Sequence, residues 1–151
     1  VYILSPANSL GAKLQRRYFY GTQDLNRSFP GKKDGNEAER MAYAIYSDIE
    51  RVMPDLVLDL HEAIVYTENR DFLGSSYIFT SLLWATEDGE ICHSPFAYNG
   101  PGPVGSINSS VTLGLGIPTI TVETFRGFDI KRRVYDQLDT VQYILHFYGM
   151  I

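Results

Sequence analysis

The stretch Asp55-Leu-Val-Leu-Asp-Leu-His-Glu62 constrains this chain more than any other. A mostly apolar run leads without a turn signal into a histidine and a glutamate. Such a run reads as a strand buried on both faces, the kind found in parallel sheets covered by helices. Its end sets His61 and Glu62 at the carboxyl edge of the sheet, where ligands and chemistry collect in open α/β folds.

The neighbouring segments suit that strand. Val1-Tyr-Ile-Leu4 is β-rich and stops at Ser5-Pro6, which predicts a strand ending near Leu4. Ala7 to Gly11 carries turn chemistry, and Lys13 to Tyr20 reads as a short helix or an irregular loop. Asp24-Leu-Asn-Arg-Ser-Phe-Pro-Gly31 ends in a Pro-Gly pair and reads as a loop. Asn36 is a natural N-cap for a helix to about Val52, with Ala38, Met41, Ala42, Ile45, Ile49 and Val52 at helical spacing. Strand, loop, helix and strand together make a βαβ-like unit and favour parallel pairing.

Beyond Ala63 the pattern weakens. Tyr77 to Thr80 reads as a strand, Ser81 to Ala85 as the start of a helix, and Thr86 to Gly100 as polar and turn-rich. Gly100-Pro-Gly-Pro103 is a loop placed to border a site. Ser106 to Leu113 predicts a helix closed by Gly114 and Gly116, and Thr119 to Val122 a second buried strand ending in Glu123. From Asp129 to about Tyr148 the spacing predicts a final helix with Ile130, Val134, Leu138, Val141, Leu145 and Tyr148 on one face. The fold class expected is α/β: a single domain with a mostly parallel, mixed sheet flanked by helices.

A length of 151 residues suffices for one domain with one sizeable core. The net charge of −5 and the short basic runs, Lys32-Lys33 and Lys131-Arg132-Arg133, argue against a general nucleic-acid binder. No apolar run approaches the roughly eighteen residues of a membrane span. The single cysteine, Cys92, excludes an intrachain disulfide framework. The chain opens on a valine already inside a strand-like run, so it is expected to be an N-terminally incomplete piece.

If the strands are parallel, the loop after Leu4, His61-Glu62 and Glu123 converge on one edge of the sheet, with the Asn26-Arg27 pair around the same crevice. Taken alone, a histidine at a strand end such as His61 is more often a hydrogen-bonded structural residue than a metal ligand. Glu123 is harder to dismiss, because burying a carboxylate costs several kcal/mol unless it is paired or has a task. A salt bridge to Arg126 or Arg132 is the plain alternative, and Arg132 or Arg133 can partner other nearby acids. Arg27 either ties its loop to a helix end or offers its planar fork to a substrate carboxylate. Cys92-His93 has no further ligands at zinc spacing and reads as a surface loop.

Taken in order, Asp24-Leu-Asn-Arg-Ser-Phe-Pro-Gly31, Asp59-Leu-His-Glu62 and Thr121-Val-Glu-Thr-Phe125 resemble the zinc carboxypeptidase superfamily, most closely its succinylglutamate desuccinylase/aspartoacylase branch. The resemblance implies roles residue by residue. His61 matches the zinc ligand contributed from the end of a central strand. Glu123 matches the carboxylate that takes a proton from the attacking water and passes it to the leaving nitrogen. Asn26 and Arg27 match the pair that holds the substrate's free carboxylate. Arg17 lies nine residues before Asn26, where the branch often has an arginine that polarises the scissile carbonyl; adjacent Arg16 is the alternative. A tyrosine also contributes in many members, and Tyr98 is the candidate here.

The chain departs from the family in one respect. The first two zinc ligands of the family come from a His-x-x-Glu motif, and none exists here: Ile64, Phe96 and Gly149 stand three residues after His61, His93 and His146. The motif is expected upstream of Val1, because a catalytic zinc needs three protein ligands. The function implied is zinc-dependent hydrolysis of an amide in a small substrate or short peptide bearing a free carboxylate, an N-acyl amino acid being preferred, in a cytoplasmic setting and without nucleic-acid or membrane partners. The alternative is a non-catalytic module that keeps the Asn26-Arg27 clamp and binds carboxylates without a complete zinc site.

Overall fold

The computed structural model describes residues 1–18, 23–63, 76–80, 96–98 and 102–151, with the side chains of 63, 76–80 and 96–98 outside the description. On one side of the sheet, β1 (Val57–Ala63) and β4 (Thr119–Phe125) pair in parallel. On the far side of β4 lies β2 (Ser76–Thr80), antiparallel to it, and β3 (Phe96–Tyr98) pairs in parallel with β2. The strand order is therefore β1-β4-β2-β3, a mixed sheet of the expected α/β kind. The expected strand at Tyr77–Thr80 is present as β2, whereas the helix start at Ser81–Ala85 and the Cys92-His93 loop lie outside the described residues.

Helix α1 (Ser9–Leu14) is short and is capped by Asn8, whose side chain accepts from the Gly11 N–H. The turn chemistry of residues 7–11 is thus a helix start rather than an open loop. Helix α2 (Glu37–Val52) begins where its sequence says it should. Asn36 accepts from the Glu39 N–H at 3.0 Å while Glu39 accepts from the Asn36 N–H at 3.0 Å, a reciprocal capping box. Met53, in a left-handed conformation, closes the helix ahead of Pro54. Helix α3 (Ile107–Leu115) has Ser106 as its N-cap and Gly116, at φ 68°, as its C-cap. Helix α4 (Ile130–Phe147) starts at the Asp129 cap, which accepts from the Lys131 and Arg132 N–H groups.

Side chains alternate across the pleat of β4, and that alternation assigns the layers. Ile120 and Val122 point toward α4, where they form the buried core with Ile144, flanked by Leu56, Leu58 and Tyr148. Thr119 and Thr121 point the other way and meet α3 through Asn108. Helix α2 packs outside α3 with Ala38 and Ala42 fully buried. Parallel register puts Asp59 beside Thr121 and His61 beside Glu123, so all four face the α3 layer.

Three expectations need correction. Val1–Leu4 forms no strand, and all four side chains are exposed. Their β-propensity records only that they would fit a pleated, half-buried surface, and no described strand offers them a ladder. Consequently the loop after Leu4 does not leave a strand end. Secondly, both strands run past the expected ends, β1 to Ala63 and β4 to Phe125, so His61, Glu62 and Glu123 lie within the pleat and not at its last position. Thirdly, the apolar stripe of α4 does not cover the sheet face. Asp136, Thr140 and Ile144 are its buried residues, whereas Ile130, Val134 and Leu138 are exposed and line a groove beside Leu60 along β1. No strand among the described residues pairs with that edge of β1. Among the described residues no helix is long and apolar enough to cross a membrane.

Candidate active site

Two strand ends build the reactive centre. His61 and Glu123 are register partners on β1 and β4, with imidazole Nδ1 3.9 Å from Glu123 Oε1. The other ring nitrogen, Nε2, lies 3.0 Å from Asp59 Oδ2, two residues earlier on the same face of β1. The imidazole therefore stands between two carboxylates. All three side chains keep less than a quarter of their surface exposed: His61 23 %, Asp59 16 %, Glu123 18 %. The backbone is held as well, since Gln137 from α4 donates to the His61 carbonyl at 2.7 Å and to Thr124 Oγ1 at 3.3 Å.

This crowding moves both titrations. For His61, burial alone favours the neutral ring, but the hydrogen bond and charge of Asp59 together with the charge of Glu123 outweigh it, and the pKa rises. For Glu123, burial is the leading cause and pushes the carboxyl upward, reinforced by Asp59; His61, Arg17 and Arg27 pull back without cancelling it. A glutamate raised toward neutrality, with a histidine at its side, is suited to take a proton and give it up again. The plain alternative for Glu123, an ion pair with Arg126 or Arg132, is not what forms. Arg132 reaches Asp136 at 3.6 Å and lies 3.6 Å over the Phe128 ring, and Arg133 pairs with Glu62.

The Asp24–Ser28 loop supplies the cations. Its 3₁₀ turn (Leu25–Arg27) is knotted by Asp24, which accepts from the Asn26 N–H at 3.1 Å through Oδ1 and from Ser28 Oγ at 2.8 Å through its carbonyl. Asp24 Oδ2 also receives Arg17 Nε at 3.0 Å and Nη2 at 2.8 Å, so Arg17 is pinned to this loop. Arg27 is exposed, and its Nη1 donates to the Asn26 carbonyl at 2.5 Å. Asn26 has a second task that the sequence does not announce: its Oδ1 accepts from the Ile107 N–H at 2.9 Å, at the first residue of α3. Gly105, at φ 80°, makes this approach possible, because a Cβ there would lie 2.6 Å from the Arg27 carbonyl oxygen.

Of the described candidates, His61 and Glu123 stand side by side on β1 and β4, while Asn26, Arg27 and the pinned Arg17 belong to the Asp24–Ser28 loop, with the charges of Arg17 and Arg27 acting on Glu123. Sequence reasoning missed Asp59 as the partner of His61, and it missed Thr121, Asn108 and Gly105. For Asp59 the signal was available in its spacing, since residues two apart on a strand share a face. Tyr98 lies in β3, and its side chain is outside the described residues. Among the described residues no three His, Cys, Asp or Glu side chains assemble a complete metal-holding group.

Comparison with known proteins agrees with this fold. A product-bound ectoine utilization protein EutE (DoeB) from Ruegeria pomeroyi superposes with a TM-score of 0.71 at 20% identity, over 97% of this chain and 46% of that one. A succinylglutamate desuccinylase/aspartoacylase from Rhodobacter sphaeroides gives 0.69 at 16% identity, over 95% and 43%. An aspartoacylase family protein from Mesorhizobium loti gives 0.69 at 23% identity, over 95% and 45%. The chain therefore spans slightly less than half the length of each. No curated protein matches it by sequence. The model of the succinylglutamate desuccinylase/aspartoacylase catalytic domain matches residues 2–79, which include the Asn26-Arg27 loop and His61; Glu123 lies beyond the match. The chain belongs to the succinylglutamate desuccinylase/aspartoacylase catalytic-domain family, with a zinc carboxypeptidase-like fold.

Proposed function

We propose that this chain carries half of the active site of a zinc-dependent deacylase, which hydrolyses the amide of a small carboxylate-bearing substrate in a cytoplasmic setting. An N-acyl amino acid is the preferred substrate class, with the C-terminal residue of a short peptide next. The observation that carries the reading is the pairing of His61 with Glu123 across two parallel strands, 3.9 Å apart and partly dry.

The residues present fit a share in a metal site. A ligand histidine commonly gives its second ring nitrogen to a carboxylate, which fixes ring orientation, and His61 Nε2 is so held by Asp59. His61 would hold zinc through Nδ1, and the reading puts the two further ligands in sequence upstream of Val1. Zinc, when bound, supplies Lewis acidity toward the carbonyl and toward water.

The remaining work falls to this chain's own groups. Glu123, its carboxyl raised by burial, takes a proton from the attacking water and returns it to the amide nitrogen as the bond breaks. Arg17, tied to Asp24 through Nε and Nη2, meets the developing oxyanion through its remaining Nη1 edge. Arg27 pairs with the substrate carboxylate, and the Asn26 amide nitrogen assists it while Asn26 Oδ1 stays on α3. Binding the carboxylate at a distance from the scissile bond sets the register of attack.

The direct test uses a polypeptide of the relatives' length that contains this chain. Loaded with zinc, it is expected to release amino acid from N-acyl amino acids and to leave the corresponding amino-acid amides nearly untouched. No release from any member of an N-acyl amino acid panel, with zinc bound, would overturn the reading.

A further inference from the structure

Behind His61 a line of polar side chains runs back into helix α3. Asn108, in the first turn of that helix, is 1 % exposed. Its amide nitrogen donates to the Thr119 carbonyl at 2.8 Å and to Thr121 Oγ1 at 3.3 Å. Thr121 Oγ1 donates in turn to Asp59 Oδ2 at 3.3 Å, and the same Oδ2 lies 3.0 Å from His61 Nε2.

The chemistry of the groups fixes the direction of this line. An amide NH₂ only donates, so the Thr121 oxygen accepts there and has its own hydrogen to give. An ionised carboxylate only accepts, so Asp59 receives both the threonine hydrogen and the Nε2 hydrogen of the imidazole. The two 3.3 Å links are longer than ideal, and they act on Asp59 as a polar stop more than as strong bonds. The firm anchor is Asn108 on the β4 backbone. Neighbouring Ile107 gives its N–H to Asn26, so one turn of α3 registers both the Asp24–Ser28 loop and β4, the strand paired with the one that carries His61.

We propose that Asn108 and Thr121 are positioning residues, which hold Asp59 against His61 Nε2 and so turn the Nδ1 edge of the imidazole toward Glu123. The proposal rests on the deacylase reading only for what that edge is used for; the orientation itself is a property of this chain. Neither residue reaches the reacting atoms. Their effect passes through Asp59, whose Oδ2 meets both Thr121 Oγ1 and His61 Nε2.

The test is nitrogen-15 NMR of the His61 ring in the 151-residue chain, assigned with His61→Gln. The native chain is expected to show a hydrogen on Nε2 that exchanges slowly with solvent. Thr121→Val, close in shape but without the hydroxyl, should speed that exchange roughly tenfold, the ratio set by one net hydrogen bond. Thr121→Ser should restore it. Should the valine variant fail to fold by circular dichroism, Thr121→Ala removes the hydroxyl without new bulk and is read the same way. Native-like exchange in a folded variant without the hydroxyl would overturn the proposal, as would a neutral native ring, observed at a pH above its titration, whose single hydrogen sits on Nδ1. Zinc and hydrolysis do not enter the measurement, so this proposal and the deacylase reading fail separately.

Discussion

His61 and Glu123 occupy facing positions on adjacent parallel strands, with Nδ1 and Oε1 3.9 Å apart. Backbone ladder bonds fix that separation, where a loop-borne pair would depend on loop order. An imidazole and a carboxylate, to which the proposed function gives the tasks of ligating and of moving a proton, are thereby held on the same face without any covalent tie.

The Arg27 guanidinium is the exposed cation of the clamp loop. Arg27→Ala is expected to raise KM by roughly tenfold or more for substrates with a free carboxylate, the loss of a charge-assisted hydrogen bond. Steady-state kinetics on a matched pair, acid and amide, checks the assignment. An equal rise for the amidated partner would show that Arg27 supports the fold and not the carboxylate.

Asn26 holds α3 through its Oδ1, which leaves its amide nitrogen for the proposed carboxylate clamp. Asn26→Asp keeps the oxygen that accepts from the Ile107 N–H, so urea unfolding should show stability near native, while its added charge repels a substrate carboxylate. Asn26→Ala removes the cap-like acceptor and should cost about 1 kcal/mol of stability. If both variants unfold alike, the helix contact is not a structural one.

Acid–base behaviour gives a prediction for the metal-free chain. His61 and Glu123 both bind protons more tightly folded than unfolded, each pKa being raised. Such groups contribute stability that is full below the unfolded pKa and is lost as pH rises through the folded one. The Glu123 contribution therefore declines upward from its ordinary value of 4.5, and that of His61 upward from 6.5. The urea midpoint should be lower at about pH 8 than at about pH 6, and His61→Gln should flatten that difference. A midpoint that rises over the same interval would contradict the placement of the imidazole between Asp59 and Glu123.

Much of the fold was legible because its signals are local. The Asn36–Glu39 capping box, the Ser106 cap, Gly116 and the Asp129 cap are each written within four residues of a helix end. The candidate site was legible as an order of short motifs holding Asn26-Arg27, His61 and Glu123, and of these the structure pairs His61 with Glu123. Register was not. Nothing in the sequence says that Thr121 stands beside Asp59, 62 residues away, or that Asn108 reaches both strands' neighbourhood from the next layer. The exposed stripe of α4 misled for a related reason. Helical spacing reports that a face is apolar, but not whether it meets the surface of a sheet or the groove along its edge.

The most direct measurement follows zinc content and amide hydrolysis together in Glu123→Gln, made in a polypeptide of the relatives' length that contains this chain. The account predicts that turnover of an N-acyl amino acid falls roughly 100- to 10,000-fold, the contribution of a general base, while zinc stays bound and KM changes little. Near-native turnover in the zinc-loaded variant would contradict it.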